Sequence, residues 1–571
     1  MKPVRLPAAA TNALPRRILF ALCLLYILPG LFGRDPWKTD DAASFGIMWT
    51  MARGGLEDWL WPHLVGLPMA EKGPLAAWIG ALCIRLFDWI AGAPFAARIA
   101  TIGFFLLGSS AVWYSTYLLG RRPEAQPQRL AFGGQPSPSD YGRTLADGAL
   151  LIYLGFLGLL LILHSTSSEA LQVSMVALCL YGAIRLFESG TAAAGALFGL
   201  ALGLLALTRG WVLPLALWTG MLTLVSIRER RLLWRLLLIS LPVAVAVAGS
   251  WWLACRIVRP FTSSPFDAWM VWNYSQVGMP SWNALRYLGK NVIWAAWPAW
   301  PFALWAIYAW RRQSQAPHIT LPLTFLVAAS VLALFAAKPD EGTLLPLLPP
   351  LAILAAFGLP TMKRGAINAV DWFSVMTLTA CAAFIWLGWI AKQTGWPAWL
   401  ARNAFKLAPG FKPEFGPVAF VVALLATAGW FALVQWRVSR RPKVLWRAVV
   451  LSSGGVILCW VLLATLWMPW INYGKSYAGV ARQLAEKLPA GAYCVETNVG
   501  TAQRASFAYF GGVPFAGFTD TRCDFLLLQD NRRGRDDAMV LRERREEWQL
   551  LWEGRRPSDR HERFRLYKRA N

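Results

Sequence analysis

The sequence predicts an all-α polytopic membrane protein with about thirteen transmembrane helices and a small soluble α/β domain at its C-terminal end. Three observations predict it. Apolar stretches of about 20 residues, long enough to cross a hydrocarbon core, recur from Ile18 to Met468. Lys and Arg gather in the short loops between those stretches, the pattern of cytoplasmic loops. After Trp470 the chain turns polar and carries short β-rich runs.

The basic loops fix the threading. They are Lys2 to Arg17, Arg121 to Arg143, Arg228 to Arg235, Arg311 and Arg312, Lys363 and Arg364, and Arg437 to Arg447. The first apolar stretch follows Arg16 and Arg17 and lacks a small-residue cleavage site after it, so it reads as a retained helix. Between Arg17 and Arg121 the chain crosses an even number of times, yet three apolar stretches lie there: 18–33, 74–92 and 96–119. The middle one carries Arg85 and Asp88. A charge at the bilayer centre costs roughly 2.5–3.5 kcal/mol on insertion scales, and a helix lying in the interface avoids that cost. Segment 34–95 is therefore one extracytoplasmic loop with surface helices. The expected spans are 18–33, 96–119, 145–163, 169–187, 192–207, 211–227, 236–257, 289–310, 319–337, 344–360, 372–393, 416–436 and 446–468. An odd number of crossings leaves the tail outside. Residues 1–469 form the membrane domain and 470–571 the soluble one. In the tail, 476–488 has a helix pattern, and 493–497, 524–529 and 563–568 read as strands.

A net charge of +25 and a pI near 10.2 follow from those loops, and no nucleic-acid partner is implied. The 33 Trp and 30 Phe, many near segment ends, fit an interfacial aromatic belt. Six of the eight Cys (Cys23, Cys83, Cys179, Cys255, Cys381, Cys459) lie in apolar segments and act as small hydrophobes. Cys494 and Cys523, in the tail, can pair if it faces an oxidising compartment. The four His (His63, His164, His318, His561) are far apart, which argues against a His-based metal site.

Polar residues at a membrane face mark function, and four extracytoplasmic clusters stand out: Asp40-Asp41; Glu71-Lys72-Gly73-Pro74; His164 to Glu169; and Lys338-Pro339-Asp340-Glu341. Each has a bland reading. The acidic pair suits a solvated loop, Glu71-Lys72 an interfacial anchor, HSTSSE a helix cap, and the fourth a turn. Together they suit a lipid phosphate: Lys neutralises it, while a carboxylate orients or deprotonates the attacking group. No cofactor or resident metal is called for, although the carboxylates leave a divalent cation open.

The segment DDAASFGIMWTMARGGLEDWLWPHLVGLPMAEKGPLAAW resembles the first periplasmic loop of GT-C glycosyltransferases, namely the aminoarabinose transferases of lipid A and the related protein O-mannosyltransferases. Asp40 matches the family's catalytic Asp, and Asp41 stands where Glu is usual. Glu71 and Lys72 match a Glu-Lys pair, with Gly73 replacing a Pro. HSTSSE is similar to a Thr-Thr-Asp segment, with Glu169 as its acidic residue. LTRGW resembles a Thr-Lys-Gly-Pro segment, with Arg209 for Lys. KPDEGTLLPLLPP resembles the stretch before a later span, with Thr343 for an expected Tyr.

The resemblance implies a GT-C fold of thirteen spans in the bacterial inner membrane, with the active site and tail in the periplasm. It implies inverting transfer of a sugar, aminoarabinose-like or other, from polyprenyl (undecaprenyl) phosphate to lipid A or another envelope glycolipid. Asp40, Asp41 and Glu169 would be the catalytic carboxylates, Lys72 and Arg209 would hold the donor phosphate, and Glu71 and Lys338 would support the site. The alternatives are a protein O-mannosyltransferase-like enzyme and a lipid-linked sugar flippase. A transporter would place charged sites near the midplane and show internal repeats, whereas these clusters sit at span ends.

Overall fold

The computed structural model describes residues 4–69, 71–131, 133–259, 265–440, 444–489, 493–516, 523–531, 548–559 and 562–569. His561, Lys2 and the centre of the basic loop 437–447 lie outside the described residues. Among the described residues, nine helices are long and apolar enough to cross a membrane, or up to eleven when two bent pairs each count as one span. One bent pair is Pro138–Leu154 with Leu157–His164, at 60°; the other is Trp282–Ala295 with Ala299–Ala309, at 99°. The tightly joined expected spans 192–207 and 211–227 are helices Ala192–Thr208 and Val212–Arg228, 17 residues each. At 1.5 Å per residue such a helix is about 25 Å long, short of a ~30 Å hydrocarbon core. Length alone thus falls below the thirteen crossings expected from charge.

Helix Ala93–Arg121 lies against Pro138–Leu154, Ser168–Ser189 and Leu75–Ala91. Helix Glu341–Leu344 and its continuation to Thr361 are almost entirely buried among the other helices. These elements form the large apolar core around Phe105, Leu151, Leu180 and Phe357.

The segment expected at the surface, 74–92, is helix Leu75–Ala91, packed on helix Asp40–Arg53. Its Arg85 donates to the carbonyls of Ala52 (2.8 Å) and Gly54 (2.5 Å). Those carbonyls end the Asp40–Arg53 helix, where the dipole favours a cation.

The tail has a four-stranded sheet in the order Val495–Thr497, Phe525–Asn531, Glu562–Arg569, Trp548–Gly554. The first pair is parallel and the others antiparallel. Helices Ala478–Ala485 and Thr501–Gly511 cover one face. Helix Thr501–Gly511 and strand Trp548–Gly554 were not anticipated from the sequence. Cys494 and Cys523 are disulfide-bonded, 5.1 Å apart at Cα.

The tail is packed onto the loop. Ala42 belongs to the same apolar cluster as Tyr477, Val495 and Phe564. Tyr509 meets the rings of Phe45 and Trp49 edge-on, and Arg504 donates to Val65 O at 2.8 Å.

Candidate active site

Four chain segments meet at one point. Asp40 is the first residue of helix Asp40–Arg53, after Thr39 at φ +74°. Lys72 lies in the loop before helix Leu75–Ala91, itself at φ +71°. Glu169 occupies the first turn of helix Ser168–Ser189, and Arg209 ends helix Ala192–Thr208. Lys72 Nζ lies 2.9 Å from Glu169 Oε1 and 3.5 Å from Asp40 Oδ2. Arg209 Nη1 contacts the same Glu169 oxygen at 2.7 Å, and its Nη2 pairs with Asp340. Glu169 is 5% exposed at its side chain, whereas Asp40 is 68% exposed. The buried carboxylate holds two cations, and the exposed one stands at the rim, paired with Lys72 alone.

Two glycines permit this approach. A Cβ on Gly73 would lie 1.9 Å from the carbonyl oxygen of Leu207, so the Lys72 loop presses against the end of the Arg209 helix. A Cβ on Gly342 would lie 1.6 Å from Arg209 Nη1. The Gly73 that replaces a Pro in the motif is thus demanded by backbone contact. Asp340 caps the short helix Glu341–Leu344, accepting from Thr343 N at 3.0 Å and from the Thr343 hydroxyl at 2.8 Å. That leaves its other oxygen to Arg209.

Burial works against the charge of Lys72, but Glu169 and Asp40 outweigh it and the neighbouring Arg209, so its pKa is raised. The amine is a cation throughout the physiological range.

Asp41, expected to share the chemistry, has partners of its own. Its side chain is 7% exposed, with Arg34 at 3.0 Å and Arg98 at 3.7 Å. It also accepts from Thr166 N (2.8 Å), Thr166 Oγ1 (2.9 Å) and Trp37 N (3.1 Å). Burial raises its pKa, but the two guanidiniums and these hydrogen bonds prevail, and the net shift is downward. A carboxylate so engaged anchors the loop to the HSTSSE segment. Glu71 is exposed and makes no ion pair or side-chain hydrogen bond among the described residues. Lys338 is exposed and borders the cavity described below.

Sequence reasoning missed Arg34, Arg98 and Asp340. Arg34 directly follows the first expected span and Arg98 lies within the second, each a lone cation outside any polar cluster, while Asp340 was seen only as part of its cluster. Among the described residues, no group of three or more His, Cys, Asp or Glu is gathered to hold a metal ion.

Arg209 and Lys338 stand at the polar end of a cavity that descends between Leu205, Leu213, Ala333 and Pro346. A groove between helices Val212–Arg228 and Pro317–Leu334 shares Val277 and Leu332 with that cavity. Its lining residues Val331 and Phe335 are 48% and 38% exposed. A charged cluster thus adjoins an apolar passage that opens sideways, the shape required by an anionic head on a long lipid tail.

No family model matches the chain. It is 28% identical over 476 residues to an undecaprenyl phosphate-alpha-4-amino-4-deoxy-L-arabinose arabinosyl transferase of Pseudomonas aeruginosa, covering 79% of this chain and 74% of that one. It is 25% identical over 512 residues to the protein of the same name from Pseudomonas savastanoi pv. phaseolicola, covering 86% and 85%. Among solved structures, ArnT from Cupriavidus metallidurans bound to undecaprenyl phosphate superposes with a TM-score of 0.64 at 16% identity, over 96% of this chain and 97% of that one. That likeness shows a shared fold over nearly the whole length, tail included.

Proposed function

We infer that this chain, a GT-C membrane glycosyltransferase similar to the lipid A aminoarabinose transferases, moves a sugar from a polyprenyl phosphate to lipid A or a related envelope glycolipid on the periplasmic face of the inner membrane. The observation that carries the reading is the convergence of Lys72 and Arg209 on one Glu169 oxygen, with Asp40 3.5 Å from Lys72 and an apolar passage alongside.

The donor's phosphodiester oxygens lie against Lys72 and Arg209. The acceptor hydroxyl gives its proton to Asp40, and its oxygen attacks the anomeric carbon from the face opposite the phosphate. The bond from that carbon to the phosphate oxygen breaks, and its electron pair stays on the phosphate. The products are the glycosylated acceptor, inverted at the anomeric carbon, and polyprenyl phosphate. Negative charge grows on the leaving phosphate, so cations fixed there favour the transition state over the ground state.

Glu169 and Asp340 hold Arg209 in place before the donor arrives, and Glu169 does the same for Lys72. Asp41 acts at one remove, by fixing the turn that presents Asp40. Lys338 adds positive charge at the cavity mouth.

The test is transfer of a labelled sugar from a polyprenyl phosphate to lipid A by the purified full chain in detergent, where no transport can occur. Labelled lipid A supports the reading. No transfer by the folded chain, with donor movement across vesicles once the chain is reconstituted, refutes it.

A further inference from the structure

We propose that a second cavity, at the membrane face opposite the charged cluster, binds an anionic phospholipid, with an acyl chain between helices Ala299–Ala309 and Arg364–Thr394 and the phosphate at Lys363. The inference is independent of the sugar-transfer reading and uses none of its residues.

One helical run fixes the position. Asp340, which pairs with Arg209, stands directly before the run Glu341–Thr361, and Lys363 lies just after it. The 21 residues of that run rise about 30 Å, the thickness of a hydrocarbon core. Lys363 is therefore at the far face, the one that the basic loops assign to the cytoplasm.

The cavity, of about 390 Å3, is walled by Trp297, Phe302 and Trp305 on one side and by Ala366, Ala369 and Phe373 on the other. It shares no lining residue with the passage beside Arg209 or the groove that joins it. The rings of Trp297 and Phe373 meet edge-on, 5.5 Å apart, at the end remote from Lys363. From Lys363 to Phe373 the chain rises about 15 Å, half of a hydrocarbon core and so the depth of one leaflet. Helix Ala299–Ala309, of 11 residues, has a similar length and is also only half a crossing.

The mouth is basic. Lys363 lines the cavity, is exposed, and makes no ion pair or side-chain hydrogen bond among the described residues. Segments 310–316 and 361–370 carry Arg311, Arg312, Lys363 and Arg364 and no acidic residue. The one carboxylate of helix Arg364–Thr394, Asp371, is paired with Arg437 and is not in the lining. Trp305 Nε1 donates to Thr361 Oγ1 at 2.9 Å, which holds the turn bearing Lys363 against helix Ala299–Ala309. An apolar slot one leaflet deep beneath uncompensated cations matches an acyl chain with an anionic head, the chemistry of basic lipid pockets between membrane helices.

Photo-crosslinking of the purified full chain in detergent tests this with two lipids that differ only in the head: phosphatidylglycerol, anionic, and phosphatidylcholine, zwitterionic, each with a diazirine near the end of one acyl chain. Adducts are expected on the peptides holding Trp297 and Phe373, with half-saturation at least ~fivefold lower for phosphatidylglycerol, the factor for one basic residue beside an anionic head. Equal half-saturation, or adducts only elsewhere, overturns the proposal. Lys363→Glu should abolish the preference for the anionic head, and a preference that survives it overturns the assignment of the phosphate to Lys363. Ala369→Phe fills the slot from an exposed position and should weaken labelling by both lipids at least ~tenfold, the scale of a steric overpacking cost. Ala366→Phe, one turn earlier, makes the same test should the first variant not fold, and undiminished labelling in a folded filled variant overturns the proposal. Unlabelled polyprenyl phosphate should not compete for these adducts; competition would assign the cavity to that lipid and overturn the proposal.

Discussion

Glu169→Gln isolates the electrostatic core of the site. Lys72 and Arg209 touch one oxygen of Glu169, at 2.9 and 2.7 Å, so the two cations are less than ~6 Å apart. At an effective dielectric near 20, two like charges at that separation repel by about 3 kcal/mol. In the native resting state the Glu169 charge offsets this repulsion. Gln keeps the shape and one acceptor but removes the charge, while Asp40 and Asp340 still compensate in part. The resting protein should lose about 2–3 kcal/mol of stability. A bound phosphate brings back a negative charge at the same cations, so binding should recover that loss. Polyprenyl phosphate is then expected to raise the Tm of the variant by more than it raises that of the native chain, and to bind it more tightly, by up to ~100-fold if the full 3 kcal/mol is recovered. The assay is thermal unfolding of detergent-purified protein titrated with polyprenyl phosphate. A ligand-induced shift in Glu169→Gln equal to or smaller than the native shift would refute the idea that Glu169 holds the place of the donor phosphate.

Asp40→Asn should leave Tm unchanged, because the side chain is exposed, and lower kcat by roughly 100-fold or more, the range for losing a general base; rates on folded variant decide it. Lys72→Ala should raise KM and lower kcat together. Since the Lys72 pKa is raised, the contribution of its charge is fully present below the ordinary lysine value and is lost only as pH climbs through the raised one, so donor binding should show no alkaline loss up to about pH 10. Asp41→Asn leaves Arg34 and Arg98 buried without a counter-charge, for about 3–5 kcal/mol, and should depress Tm and activity together, unlike Asp40→Asn. Because the Asp41 pKa is lowered, its stabilisation is present above the ordinary carboxyl value and is lost as pH falls through the lowered one, which acid unfolding of the native chain can follow. Cys494→Ser opens a disulfide of sequence separation 29, typically worth ~2–4 kcal/mol, and should lower the Tm of the tail, a change that reducing agent reproduces in the native chain.

Much of the fold was legible because membranes impose a coarse code. Each expected crossing carries helix, since a backbone in hydrocarbon must bond to itself and 20-residue apolar runs are hard to mistake. The bends were not legible: the break after Leu154 and the 99° turn before Ala299 arise from packing, which leaves no periodic trace. In the tail, helix Thr501–Gly511 was missed because its alternation of small and aromatic residues has weak helical periodicity, and strand Trp548–Gly554 because its sequence WQLLWEG lacks the β-branched residues that mark a strand. At the site, Asp40, Lys72, Glu169 and Arg209 were found through their order and spacing, and they meet in space. The division of labour between the adjacent Asp40 and Asp41 could not be read, because it depends on which way a helix N-terminus faces. One residue of rotation, about 100°, separates an exposed carboxylate from one buried on two arginines.

The loop that carries this pair is strained, and the rest of the chain holds it. The non-glycine residues at positive φ among the described residues are Thr39, Val65 and Lys72: one directly before Asp40, one the Lys72 cation itself, and one in between. Such backbone costs about 1–3 kcal/mol per residue and persists only where the surroundings over-determine it. Each of the three has a separate anchor beside it. Asp41, two residues after Thr39, is tied to Arg34, Arg98 and Thr166. The carbonyl of Val65 receives two donors of Arg504, at 2.8 and 3.2 Å, from the tail. Gly73, next to Lys72, is wedged against Leu207 of the helix that ends at Arg209. The membrane helices, the tail and the Arg209 helix therefore each fix one point of a single loop. In the proposed mechanism the cations are placed in advance, so little reorganisation remains when charge appears on the leaving phosphate, the condition under which fixed charges accelerate a reaction most. The tail, which supplies no residue to the charged cluster among the described residues, still bears on the position of Asp40 through Arg504 and through the Ala42–Phe564 core that seats helix Asp40–Arg53.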